Sequence, residues 1–311
     1  MRSRGSNASN VVRALATPII GFDMSPFASI LLSTAVALAG CTAVGGTDDA
    51  GSAAIAAQAG SFGVVRIDRE SGEDPDVSAP RAVLGAAFVR HRGVDGRDVL
   101  GLLGGPAAEV ETCRVQGPED AAFAALDADV ELLDLGAVEV RVAGTRTEML
   151  ARTFPDLAGI VGGVFYAEDA TLGAARADVD EYVVSAEGRD LPSFEVVGIA
   201  PAGLAEILLD GARADAGIAL ERGLPVVLEW DAGDPRDRVE IEVSSGGQVV
   251  ECVARDDGSF RLDGETLAWL APDEDARVIV SRVRMQPFDA PGLDASWVSI
   301  ASSTTFRLAV L

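Results

Sequence analysis

Val138, Val140 and Val142 alternate with Glu139 and Arg141, the period of two that marks a strand with one face buried and the other in water. The same period returns where Val239, Ile241 and Val243 alternate with Glu240 and Glu242. From Ser61 onward the apolar residues come in short runs bounded by Gly, Pro, Asp and Ser, which predicts a mostly β body. The expected strands cover residues 64–67, 82–90, 99–103, 109–115, 160–166 and 182–185, then 224–230, 248–254, 259–262, 276–284 and 297–311. Ser245-Gly246-Gly247 and Asp256-Asp257-Gly258 are the expected tight turns between strands, because Asp-Gly supplies the positive φ that such turns need. Two pieces have helical spacing instead: residues 119–126 behind Pro118, and residues 204–209, where Leu204, Ile207 and Leu208 would share a face. No segment repeats at a fixed period, which argues against solenoids and propellers.

Ahead of this body lies a different pattern. Arg2, Arg4 and Arg13 precede an apolar run over residues 27–39, and that run closes in Leu38-Ala39-Gly40-Cys41. A spanning helix needs about 20 predominantly apolar residues, so the run reads as a removable signal. The four closing residues resemble the lipobox of bacterial lipoproteins. The resemblance implies that Cys41 takes a diacylglycerol on its thiol, that residues 1–40 are removed, and that the mature protein is anchored in a cell envelope. Thr42 follows the cysteine where an Asp would favour the inner membrane, so the resemblance points to the outer membrane. A plain secretory signal, with Cys41 an ordinary cysteine, is the alternative. Residues 41–60 are small and Gly-containing and are expected to form a flexible tether.

The remaining chain is long enough for two domains, and the change of pattern divides it into residues 61–194 and 195–311, each expected to be a β-sandwich-like unit. The net charge is −24, all 25 basic residues being arginine, and removal of residues 1–40 takes it to −26. A phosphate backbone has to be met by clustered cations, so nucleic acid is excluded as a partner, and anionic lipid surfaces would repel the folded part. The strand order after residue 195, with Trp230 closing an early strand, resembles a fibronectin type III or immunoglobulin-like sandwich, without the tyrosine corner expected late in such domains. The whole chain also resembles uncharacterised two-part β lipoproteins of high-GC bacteria, in which a Cys-x-x-x-Asp-x-Gly strand and turn, here Cys252 to Gly258, precedes a short Leu-rich element, here Leu267 to Leu270. That resemblance brings no activity with it.

Chemistry is sparse. His91, the one histidine, lies between Arg90 and Arg92 with no adjacent acid, and reads as an ordinary strand-end residue rather than a catalytic base. One His and widely spaced Cys do not supply zinc-ligand spacing. Asp231, Asp234 and Asp237 form the best calcium candidate in a chain otherwise expected to carry no cofactor, with Glu73-Asp74-Asp76 and Asp256-Asp257 as further acidic turns, although none has the Asp-x-Asp-x-Asp-Gly spacing. Trp230, Trp269 and Trp297 are expected to pack in cores rather than to form a sugar platform. Cys113 and Cys252 fall in different expected domains, so two separate buried thiols are favoured over an interdomain bridge. The sequence as a whole predicts a lipid-anchored envelope protein, attached to the membrane through Cys41 and acting as a binding, adhesion or structural module with an envelope protein as partner. An envelope hydrolase using dispersed carboxylates and an accessory subunit of an envelope machine are the alternatives.

Overall fold

The computed structural model describes residues 59–71, 81–92, 110–116, 129–154, 161–171, 181–214, 218–272 and 274–311. The lipobox, almost all of the expected tether, the 119–126 segment and Glu73-Asp74-Asp76 lie outside them. The described chain is almost entirely strand, as its alternation demands, with β-sandwich layering. In order the strands are β1 (Gly60–Ser71), β2 (Arg81–Arg92), β3 (Thr112–Gln116), β4 (Asp129–Leu132), β5 (Val138–Val142), β6 (Thr145–Phe154), β7 (Val161–Thr171), β8 (Glu181–Ala186) and β9 (Phe194–Ile199). They continue as β10 (Ile207–Leu209), β11 (Ala212–Arg213), β12 (Ala219–Leu220), β13 (Val226–Trp230), β14 (Asp237–Ser245), β15 (Gln248–Arg255), β16 (Ser259–Leu262), β17 (Asp275–Pro287) and β18 (Ala295–Val310). One short helix, α1 (Gly264–Leu267), is present among the described residues.

A single long sheet runs β3-β15-β14-β17-β18-β1-β2-β4-β7-β6-β5-β8-β9, with β12 beside the end of β18. It folds back on itself at β6, whose first half pairs with β5 and whose second half pairs with β7. That bend lays β5, β8 and β9 over β1, β2 and β7 and encloses the first core, in which Val65, Ile67, Leu84 and Phe88 meet Val138, Val140, Val184 and Phe194. The second core forms where the small sheet β11-β10-β13-β16 covers the other end of the long one. There Leu228 and Leu262 pack with Val239, Ile241, Val278 and Phe306, and α1 adds Leu267.

Strand β18 belongs to both cores. Val298 and Ile300 enter the first, and Phe306, Leu308 and Val310 enter the second. All five are even-numbered and therefore lie on one face of the strand. Sixteen residues at about 3.3 Å each make β18 a spine of roughly 50 Å. It pairs with β17 along its length and in parallel with β1 over Phe62 to Ser71, and β12 takes the place of β1 at its far end.

Two expectations fail here. Residues 204–209 are not helical: Ile207 and Leu209 of β10 are both buried, a period of two, and Asp210 (φ 48) with Gly211 (φ 79) turns the chain into β11 as a hairpin. Both positive φ angles are those of a type I′ turn, and the Asp210 carboxylate accepts the Val227 amide at 3.0 Å, which fixes the turn to β13. The two cysteines are not separate thiols. Strand β3, which lies between β2 and β4 in sequence, pairs antiparallel with β15, placing Cys113 directly opposite Cys252 with Cα atoms 4.0 Å apart and the sulfurs bonded. The expectation put Cys113 with residues 61–194 in a separate unit, whereas the chain carries β3 away from β2 and β4 to the edge of the second core.

Candidate functional site

The junction between the two cores is polar and buried. Following the apolar face of β1 from Val65 and Ile67 the next position is Arg69, and following β17 from Val278 and Val280 the next is Arg282. The pairing register sets both opposite Ser302 of β18, so three strands contribute one polar row. Arg69 donates to the Ser302 hydroxyl and, at 3.0 Å, to the Pro201 carbonyl. Its guanidinium carbon also lies 6.0 Å from the centre of the Tyr182 ring. Arg282 donates to the carbonyls of Ala202 (3.3 Å), Gly203 (3.2 Å) and Asp231. Its Nε faces Asp256 Oδ2 at 2.8 Å, with the two side chains 3 % and 0 % exposed. That contact lacks hydrogen-bond alignment; the aligned bond is Nη2 to Oδ1 at 3.0 Å. Asp256 Oδ1 also accepts the Trp230 indole N–H at 2.9 Å. The segment linking β9 to β10 therefore crosses the seam with three successive carbonyls held by two buried arginines.

The expected calcium residues lie beside this seam, where Asp234 and Asp237 meet on Arg284 Nη2, at 3.4 and 2.8 Å, rather than on a shared metal position. Asp231 is exposed and contributes its backbone carbonyl to Arg282. Asp234 accepts the Arg236 side chain and backbone N–H, which hold its carboxyl well below the usual range. Asp237 is buried and takes a two-pronged bond from Arg284, Nε to Oδ1 at 2.6 Å and Nη2 to Oδ2 at 2.8 Å. Among the described residues no group of three or more His, Cys, Asp or Glu is placed to hold a metal ion. His91 is 2 % exposed and stacks on Phe62 at 4.9 Å between ring centres, and among the described residues neither ring nitrogen has a hydrogen-bond partner.

The opposite face of the long sheet carries charges. Arg66 pairs with Asp68 at 2.7 Å, Arg238 pairs with Glu240, and Glu242 stands directly across from Glu251. Burial pushes the carboxyls of Asp68, Glu242 and Glu251 up. Burial opposes ionisation of Glu240 as well, yet Arg238 and Arg66 together hold it below its ordinary value.

Trp230 is buried as expected, but Trp269 is 63 % exposed. The residues that sequence reasoning missed are Arg69 and Arg282; Asp256, read there only as part of an acidic turn, is the buried partner of Arg282 and Trp230. Their signal was present: an arginine at the inward position of an alternating strand is out of place unless a buried partner receives it.

No protein-family model matches the chain, and no curated protein matches it. Among solved structures, the crystal structure of a tetra-tandem repeat in the extending region of a large adhesion protein is 13 % identical, with 79 % of this chain and 74 % of that one aligned and a TM-score of 0.19. A likeness at that score leaves the description of this chain to its own residues.

Proposed function

We propose that the protein is a lipid-anchored component of a bacterial cell envelope, held by Cys41 at the outer membrane, whose two fused sandwiches form a rigid binding or adhesion module. The observation that supports this reading is β18, one strand that enters both cores and is braced at their junction by Arg282 and Arg69. A hinge between the cores would break the pairing of β17, β18 and β1 and expose buried charge, so the body moves as a unit on its tether. The chain enters the fold where Ser61 donates to Asp294 at 2.8 Å, at the start of β18. The far end of β18 is thereby presented away from the point of attachment. A disulfide between β3 and β15 suits an exported protein, since such bridges persist in oxidising compartments.

The test is metabolic labelling with an alkyne fatty acid. The wild-type protein takes the label and sediments with membranes, and Cys41→Ala does neither. Equal labelling of the two would remove the anchor from the account.

A further inference from the structure

Three large apolar side chains stand in solvent at the far end of β18: Trp269 at 63 % exposure, Leu224 at 53 % and Leu311 at 66 %. Arg222 gathers them. Its backbone N–H donates to the Leu311 carbonyl at 3.1 Å, its guanidinium donates to the Ala268 carbonyl at 2.6 Å beside Trp269, and Leu224 follows two residues on. The arrangement is built rather than incidental, for Gly264 of α1 presses so closely on the Gly223–Leu224 backbone that a Cβ there would lie 2.2 Å from the Gly223 carbonyl oxygen. Three exposed glutamates lie on the segments that carry these side chains: Glu221 precedes Arg222, Glu265 is on α1, and Glu274 is tied to the same end by its carbonyl, which accepts the Val310 N–H at 3.1 Å.

We propose that this tip is a docking surface for a basic, apolar segment of a partner protein. Clustered exposed apolar side chains with a central Trp and Arg have the composition of interface hot spots, and the exposed glutamates on the same segments, in a chain of net charge −24, favour a cationic partner. The bilayer is the wrong occupant on two counts. The exposed glutamates and the net charge of −24 repel anionic headgroups, and the tip lies about a 50 Å strand length from Ser61, where the chain enters the fold. This site rests on the reading of the body as a presenting module, but its test does not depend on lipidation.

The experiment titrates the purified protein into a fluorescein-labelled peptide of alternating arginine and leucine and follows anisotropy. Wild type binds, and Trp269→Ala weakens binding roughly tenfold or more, a substitution the fold tolerates because the side chain is exposed. Replacing Glu221, Glu265 and Glu274 together by Gln weakens binding about threefold at low salt and flattens its salt dependence. Absence of binding by wild type, or equal binding by wild type and Trp269→Ala, overturns the proposal. So does a response of Trp269 emission to phosphatidylcholine vesicles or to a soluble glucan without a response to the peptide, which would mark the tip as a lipid or sugar surface.

Discussion

Arg282 and Asp256 face each other at 2.8 Å between two hydrophobic cores, with the Trp230 indole bonded to the same carboxylate. Neither charge reaches water, so each depends on the other. Removing one partner of such a pair costs about 3–5 kcal/mol, whereas replacing both by apolar groups of similar size is often close to neutral. Arg282→Met is therefore expected to lower the unfolding free energy by about that amount, and Arg282→Met with Asp256→Leu to lower it less. Denaturant titration reads both variants. A single variant within about 1 kcal/mol of wild type would show that the seam does not depend on the pair.

The bridge between Cys113 and Cys252 closes a sequence separation of 139 residues. The chain-entropy model gives about 5 kcal/mol for a loop of that size, and measured effects are usually about 2–4 kcal/mol. Replacing both cysteines by Ser should reduce stability within that range, with the earliest loss of hydrogen-exchange protection in β3 and β15. Thiol titration of the denatured, unreduced protein should find neither cysteine reactive. Two free thiols would contradict the pairing of β3 with β15.

Two carboxylates should act on the pH profile of stability with opposite signs. The Gly136 N–H, with Arg189 and Tyr166, holds the Asp134 carboxyl below its ordinary 3.8 against a smaller opposing effect of burial. Its contribution is present above that value and is lost as pH falls through the lower folded pKa. Burial pushes the Glu242 carboxyl above its ordinary 4.5. Its neutral form favours the fold below 4.5, and that advantage is lost as pH rises through the higher folded pKa. Asp134→Asn should then destabilise at neutral pH and converge on wild type in strong acid. Glu242→Gln should stabilise at neutral pH and converge on wild type below about pH 4. Urea midpoints across pH decide both, and a Glu242→Gln variant weaker than wild type at pH 7 would reverse the sign argued here.

The Tyr166 hydroxyl, pushed up to about 12 chiefly by burial, accepts the Leu135 amide at 2.6 Å and donates to Asp134 at 3.1 Å. Tyr166→Phe leaves the buried Leu135 N–H without this acceptor, at an expected cost of about 1–3 kcal/mol. Denaturant titration beside wild type reads it, and a neutral effect would mean that the turn after β4 is held by other bonds.

The sequence carried the strands because burial of one face imposes alternation, and β5 and β14 follow it residue by residue. The Gly246-Gly247 turn was equally plain, since both glycines take positive φ, 58° and 80°. Partnership between distant strands was not legible: nothing in Thr112–Gln116 states that its neighbour is Val249–Val253 rather than β2 or β4. The helical reading of residues 204–209 weighed three side chains and overlooked Asp210-Gly211, the stronger local signal. The acidic loop was located correctly as a charged turn, but its arginine partner Arg284 lies 47 residues away from Asp237 and could be found only through the β14–β17 register. Exposure of Trp269 was hidden because composition alone favours burial of tryptophan.

Whether the two cores are one body is tested most directly by scanning calorimetry of the oxidised protein. The shared strand β18 and the Arg282–Asp256 seam predict a single transition whose calorimetric enthalpy equals its van't Hoff enthalpy. Two resolved transitions, or a calorimetric enthalpy near twice the van't Hoff value, would mean that the cores unfold independently and would contradict the rigid module.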